Sequence, residues 1–274
     1  MATDSKAVIV TGAASGIGLA MAMGLVKAGH QVLATDRNAT ALADCAAKAQ
    51  GLPGRMVTLA ADLAEPDSFA QIAASALVAF GRIDVLVNNA GIGQAAERQG
   101  ERKPIRFWET TAAQWSRFMA INGAGPINMA RTVLPHMLAA KSGRIITVTT
   151  SLGTMVREGY LLYGSSKAAA EAAMASLAAD LAAMQTGVTS NVLVPGGVTD
   201  TPLVGDAPNR DKMLKPDSMV PPLLWLLSDE ARAVNARRFV AADWDTSLAP
   251  AAAAEKAGVP IAWLGIARMP IEPA

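Results

Sequence analysis

The stretch that most constrains this chain is a short apolar run that feeds into three glycines. Residues 7–10, Ala-Val-Ile-Val, are apolar and mostly β-branched, the composition of a strand buried on both faces. The run passes directly into Thr11-Gly12-Ala13-Ala14-Ser15-Gly16-Ile17-Gly18. An apolar helix follows and stops at Gly29, which suits a helix C-terminus. A second strand over residues 31–35 then ends at Asp36. Glycines in such a turn let the backbone approach a pyrophosphate, and the helix N-terminus offers free N–H groups to its charge. Asp36 follows Gly18 by about twenty residues, where a carboxylate can bind ribose hydroxyls. The unit predicts a dinucleotide-binding α/β fold.

Composition bounds the rest. At 274 residues and 51% hydrophobic positions, the chain can bury a large core in one domain. The formal net charge is +1, so no basic field calls for nucleic acid. Aromatic residues make up 4%, too few for a base-stacking platform. The first six residues carry no signal-peptide pattern, and no run of about 18 uncharged apolar residues predicts a membrane span. Cys45 is the one cysteine and reads as an inert packing residue, suited to a reducing, cytoplasmic setting. His30 and His136 are too isolated to suggest a metal site.

Further alternating elements follow. Strands are expected over residues 56–61, 83–87, 144–149, 188–194 and 238–241, with a helix from about 65 to 80 opened by Asp62 as its cap. Thr111 and Gln114 form a capping box at the head of a long helix, which Pro126 should bend just after Asn122. Tyr163-Gly-Ser-Ser-Lys167 opens an alanine-rich helix over residues 168–181. Positions i and i+4 share a helix face, so the Tyr163 phenol and Lys167 ammonium point the same way. A free phenol ionises near ~10, and an ammonium within a few ångströms lowers that value. The pair is a candidate proton donor and acceptor near neutral pH.

Gly-x-x-x-Gly-x-Gly at positions 12, 16 and 18, Asn88-Asn89-Ala90-Gly91 and Tyr163-x-x-x-Lys167 together resemble the short-chain dehydrogenase/reductase family over roughly residues 5 to 243. The resemblance implies one doubly wound, Rossmann-like domain over residues 1–243, with a parallel sheet of about seven strands and helices on both faces. It implies hydride transfer between a nicotinamide dinucleotide and a secondary alcohol or ketone. By the same resemblance the cofactor would be held by Gly12, Ser15, Gly16, Ile17 and Gly18 at the turn. Asp36, Asp62, Leu63, Asn89, Ala90 and Gly91 would line its adenosine half and the loop beside it. Tyr163, Lys167, Pro195, Gly196, Val198 and Thr201 would serve the nicotinamide half. Asn122, Thr150, Tyr163 and Lys167 would form the catalytic group, with a water held by the Asn122 backbone.

Thr150 departs from the family pattern, which has a serine thirteen residues ahead of the tyrosine. Threonine keeps the hydroxyl, and its methyl stiffens χ1. Ser151 is the alternative if the strand ends early. Asp36 predicts NAD rather than NADP, because a carboxylate repels a 2′-phosphate, while the adjacent Arg37 softens the preference. Residues 93–108 carry Arg98, Arg102, Lys103 and Arg106 and read as a solvated loop or as a site for an anionic substrate group. Residues 203–219, broken by Pro208 and Pro216, resemble a substrate lid. Residues 244–274 form an extension beyond the family pattern that packs on the same domain or on a neighbouring subunit. A homodimer or homotetramer is expected through helices near 111–138 and 160–184. The competing reading keeps the fold without the chemistry: a dinucleotide-binding regulator. An adenosylmethionine-dependent methyltransferase would not need Tyr163, Lys167 and Asn122 together.

Overall fold

The computed structural model describes residues 5–97 and 103–265. Arg98 and Arg102, and residues 266–274 of the extension, lie outside the described residues. In chain order the elements are β1 (Ala7–Thr11), α1 (Gly16–Lys27), β2 (Gln31–Asp36), α2 (Ala39–Ala49), β3 (Arg55–Ala60), α3 (Ser68–Phe80), β4 (Val85–Asn88) and α4 (Ala112–Phe118). Then come α5 (Gly125–Ala139), β5 (Gly143–Val148), α6 (Leu152–Met155), α7 (Leu161–Ala183), β6 (Val188–Val194), α8 (Val220–Leu227), β7 (Arg237–Val240), α9 (Pro250–Ala257) and β8 (Gly258–Pro260).

One eight-stranded sheet runs in the order β3-β2-β1-β4-β5-β6-β7-β8. Seven strands are parallel, and β8 pairs antiparallel with β7. The eighth strand is an addition to the seven expected, contributed by the extension. The side-chain period of two along each strand explains the two-layer core. Val8 and Val10 join Met21, Leu25 and Leu223 on one face, while Ile9 joins Ile72, Met129 and Met174 on the other. Both faces are covered, so the central strands β1 and β4 are almost wholly apolar rather than alternating with polar residues. Strand order reverses between β1 and β4, where an open α/β sheet forms a crevice at its C-terminal edge.

Two expectations change. Asp62 does not cap a helix: its Oδ1 accepts from Ala64 N at 2.9 Å in a local turn, and α3 starts later, at Ser68. The helix headed by the Thr111–Gln114 capping box is not a single bent rod. A π-helical turn, Met119–Ala124, separates α4 from α5. Pro126 has no N–H to give the carbonyl of Asn122 four residues earlier, so the α ladder cannot continue there. Gly125 N instead bonds to Ala120 O, five residues back. The segment 203–219 carries 3-10 turns at Arg210–Lys212 and Pro216–Met219, after one at Pro202–Val204. Among the described residues no helix is long and apolar enough to cross a membrane.

The extension is sewn to the sheet edge. Ile261 N donates to Ala236 O at 3.0 Å, Arg237 Nη2 donates to Gly258 O at 2.8 Å, and the Ile261 side chain is fully buried in the second core cluster. Ile261→Ala is therefore expected to cost about 2–5 kcal/mol, the range for truncating a buried aliphatic side chain. Val259→Ala, at a position 46% exposed, should stay within about 0.5 kcal/mol of the parent. Chemical denaturation of both variants checks this, and an unchanged Ile261→Ala midpoint would mean that the extension is not part of the cooperative unit.

Candidate active site

The crevice at the strand reversal is a cleft of about 580 Å³. Its floor is the glycine turn. Gly12 and Gly16 hold φ of +66° and +52°, values that disfavour any side chain. A Cβ on Gly18 would lie 2.0 Å from the Gly12 carbonyl oxygen and 2.5 Å from Asn89 Nδ2, so no other residue fits. Ser15 caps α1 in an extended conformation, without a side-chain bond to the first-turn N–H groups, and the first turn has no acidic residue. Those N–H groups face a concavity that glycines leave open, which fits a pyrophosphate. Ser15, Gly16, Ile17 and Gly18 all line the cleft.

The adenosine side is built from strand ends. Asp36 closes β2, with Oδ2 accepting from Ala14 N at 3.3 Å and Oδ1 from Asn38 N at 3.0 Å. Both bonds orient the carboxylate at the cleft wall, where Arg37 also stands. Asp62 and the nearly buried Leu63 form the next part of that wall, opposite Ile92 and Ile121. Asn89 Nδ2 donates to Thr11 O and Gly12 O at 3.0 and 3.2 Å, which ties β4 to the turn. Ala90 and Gly91 continue the wall. A Cβ on Gly91 would sit 3.0 Å from Asn122 Oδ1 and 3.3 Å from Lys167 Nζ, so this glycine permits close packing of those two side chains.

Tyr163 and Lys167 lie one turn apart on α7 and both line the cleft. Lys167 is buried, and its Nζ donates to Val148 O at 3.0 Å. Burial lowers its pKa to about 8. Burial also pushes the Tyr163 phenol up to about 12, against a lowering hydrogen bond from Thr150 and a raising contribution from Tyr160. This corrects the expectation that the ammonium would depress the phenol. In a low-dielectric site desolvation favours the neutral form of each group, and the ammonium is engaged with a backbone carbonyl. The side-chain bond to Tyr163 comes from Thr150, whereas Ser151 occupies the cap position of α6 and makes no side-chain cap bond.

Asn122 sits on the π turn and is fully buried. Its amide mimics a strand pairing: Oδ1 accepts from Ile92 N at 2.8 Å and Nδ2 donates to Ile92 O at 2.9 Å and to Ser166 Oγ at 3.1 Å. The side chain is thus used up in structure, and Pro126, lacking an N–H, withholds the α-helical donor from the Asn122 carbonyl.

On the nicotinamide side Pro195 and Thr201 line the cleft. Thr201 packs against Gly16, where a Cβ would meet its Cγ2 at 2.9 Å. Gly196 and Val198 do not line it. Gly196 turns at φ +90° and Val198 is 54% exposed, its carbonyl accepting from Leu214 N at 2.9 Å. Sequence reading missed Arg117 and Ala41 on the wall, while Leu203 there belongs to the segment read as a lid. It also missed a buried ion pair, Arg238 with Glu171. The available signal was a carboxylate four residues after Lys167 on an alanine-rich helix, together with an arginine inside an apolar strand.

Comparison with known proteins agrees with this geometry. Residues 6–212 match the family model for short chain dehydrogenases. The chain is 33% identical over 245 residues to D-threitol dehydrogenase of Mycolicibacterium smegmatis, covering 85% of this chain and 89% of the relative. It is 29% identical over 246 residues to the 3-oxoacyl-(acyl-carrier-protein) reductase of Thermotoga maritima, covering 86% and 95%. A crystal structure of a metagenomic short-chain oxidoreductase in complex with NADP superposes with a TM-score of 0.73 at 28% identity, covering 88% of this chain and 97% of that one. With its glycine cradle, its Tyr163–Lys167 helix and a family match over most of its length, the chain belongs to the short-chain dehydrogenase/reductase family and is an oxidoreductase.

Proposed function

We propose that this oxidoreductase moves a hydride between a nicotinamide dinucleotide and a secondary alcohol or ketone, with Tyr163 as general acid and base. The observation that carries the reading is convergence: Tyr163, bonded by Thr150, opens onto the same cleft as the glycine cradle. The bound dinucleotide supplies or accepts the hydride. In reduction the substrate oxygen gains negative charge and needs a proton and a hydrogen-bond donor. Tyr163, held neutral by burial, is the proton donor, and the Thr150 hydroxyl holds the oxygen. Lys167 orients the cofactor ribose, and the Asn122 carbonyl anchors a water behind it. Tyr163→Phe is expected to lower kcat by at least ~10²-fold, the size of lost acid–base catalysis, while dinucleotide still binds. Thr150→Val should fall sharply and Thr150→Ser should stay active. Initial rates on a panel of aliphatic, cyclic and β-keto ester ketones check this, and near-normal kcat in Tyr163→Phe would refute it.

Cofactor choice turns on Asp36. Its carboxylate is fixed by two backbone N–H groups at the cleft wall, where ribose hydroxyls would donate to it and a 2′-phosphate would be repelled. Arg37 lines the same wall, and the metagenomic relative was crystallised with NADP. We weigh the fixed carboxylate above the exposed guanidinium and expect a higher kcat/KM with NAD. A preference for NADP of roughly tenfold, or 1.4 kcal/mol, would overturn this.

Lys167 offers a second test, because its role conflicts with stability. Its pKa falls from 10.5 to about 8 through burial alone. Below about pH 8 both folded and unfolded chains carry the ammonium, and the folded chain bears the full desolvation cost, on the order of 3 kcal/mol. Between about 8 and 10.5 the unfolded chain binds more protons, so stability rises with pH. Lys167→Met is therefore expected to raise Tm at pH 7 without dinucleotide, to lose that rise with pH, and to lose turnover. A lower Tm at pH 7 would show that the buried ammonium is not a cost.

A further inference from the structure

The end of β5 is held by a buried charge pair that reaches it from two other elements. Arg238 lies on β7, two strands away from β5 in the sheet, and is 3% exposed. Its guanidinium crosses β6: Nη1 donates to Glu171 Oε2 at 2.5 Å and Nη2 donates to Thr150 O at 2.5 Å. Glu171 is fully buried on α7, one turn after Lys167. Its Oε2 also accepts from Thr149 Oγ1 at 2.5 Å, and its Oε1 accepts from Ala262 N at 3.0 Å, in the C-terminal extension.

Successive residues at this strand end are thus gripped one after another. Val148 O accepts from Lys167 Nζ, the Thr149 hydroxyl donates to Glu171, and Thr150 O accepts from Arg238. The grip matters because the sheet does not reach Thr150. The last ladder-type bond is Thr149 N to Leu193 O at 3.3 Å, and Thr150 lies one residue past it. Without Arg238 its backbone is a loop, and a reacting group needs placement within roughly 0.5 Å.

We propose that Arg238 is a positioning residue for Thr150, acting through the Thr150 carbonyl, and that Glu171 and the extension fix Arg238 in that role. The proposal rests on the reading of Thr150 and Tyr163 given above. It contrasts with a purely structural role for the pair. Buried ion pairs contribute little net stability relative to apolar side chains of similar volume; here the guanidinium and Glu171 Oε2 are spent on the end of β5 and on each other, and Oε1 on Ala262 N of the extension.

The test uses the full chain. Glu171→Met combined with Arg238→Met removes both charges together and, because Thr149 Oγ1, Thr150 O and Ala262 N lose these partners, is expected to lower Tm while the chain still folds. NADH titration by fluorescence should give an unchanged Kd. kcat on the ketone that the parent reduces fastest should fall by about 10²-fold, the effect of misplacing a reacting group by about 1 Å. A crystal structure should show Thr150 Oγ1 withdrawn from Tyr163. Arg238→Lys covers the case in which the double variant does not fold. It keeps the charge opposite Glu171 but gives up the forked second donor, and should show the same withdrawal and a smaller loss of kcat. Unmoved Thr150 and unchanged kcat in either folded variant would overturn the proposal. A Tyr163→Phe control separates the two claims: if it abolishes turnover while Arg238→Lys and the double variant do not, this inference fails and the catalytic reading stands. If Tyr163→Phe keeps turnover, both fall.

Discussion

The clamp between the ends of β1 and β4 is the contact on which the site depends. At the strand reversal the connections from these two strands leave in opposite directions, so nothing in the sheet ladder holds their C-terminal ends together beyond Val87. The Thr11 hydroxyl closes the gap. It accepts from Asn89 N and Ala90 N at 3.0 and 3.1 Å and lies 3.4 Å from Val87 O, to which it donates. One buried hydroxyl thereby uses its donor and both lone pairs. Asn89 returns the tie through its side chain to Thr11 O and Gly12 O. The Gly12 carbonyl is then pinned where only a glycine at position 18 can pass it. The crevice exists because this clamp lets the backbone diverge around it without fraying.

The catalytic half is organised by what burial does to polar groups. Lys167 and Asn122 are both buried, and each is directed at backbone rather than at another side-chain charge. Hydrogen bonds of this kind are worth most where water is excluded, and an unpaired group there is costly. The π turn belongs to the same economy. It widens the helix at Asn122 so that the amide can reach Ile92 across the strand-end loop, and Pro126 supplies the local reason for the break.

Much of the frame was legible because its signals are local. The apolar strands, the glycine turn and the Thr111–Gln114 capping box each declare themselves within a few residues, and the 188–194 strand agrees with β6 residue for residue. What escaped has long sequence separation. The eighth strand is a three-residue edge with no pattern of its own, created by pairing with β7. The pairing of Glu171 with Arg238 spans 67 positions. The i, i+4 rule put Tyr163 and Lys167 on one face correctly, yet the sign of the phenol shift was wrong. Spacing gives direction, whereas the pKa depends on how much water the finished fold removes.

These two kinds of information meet at Thr150. Local reading identifies a hydroxyl at the end of a strand and cannot decide between it and Ser151, since one residue of strand length would exchange them. The ladder ends at Thr149, so the sheet alone does not decide either. The choice is made by groups far away in the chain: Arg238 from β7 holds the Thr150 carbonyl, and Glu171 from α7 holds Arg238 and the Thr149 hydroxyl. With the backbone fixed on both sides of the last strand bond, the Thr150 side chain turns toward Tyr163 and Ser151 begins the next helix. The β-branched side chain reinforces this, because its χ1 is already restricted before any partner is met. A serine there would need the same grip more, having one more rotamer to lose.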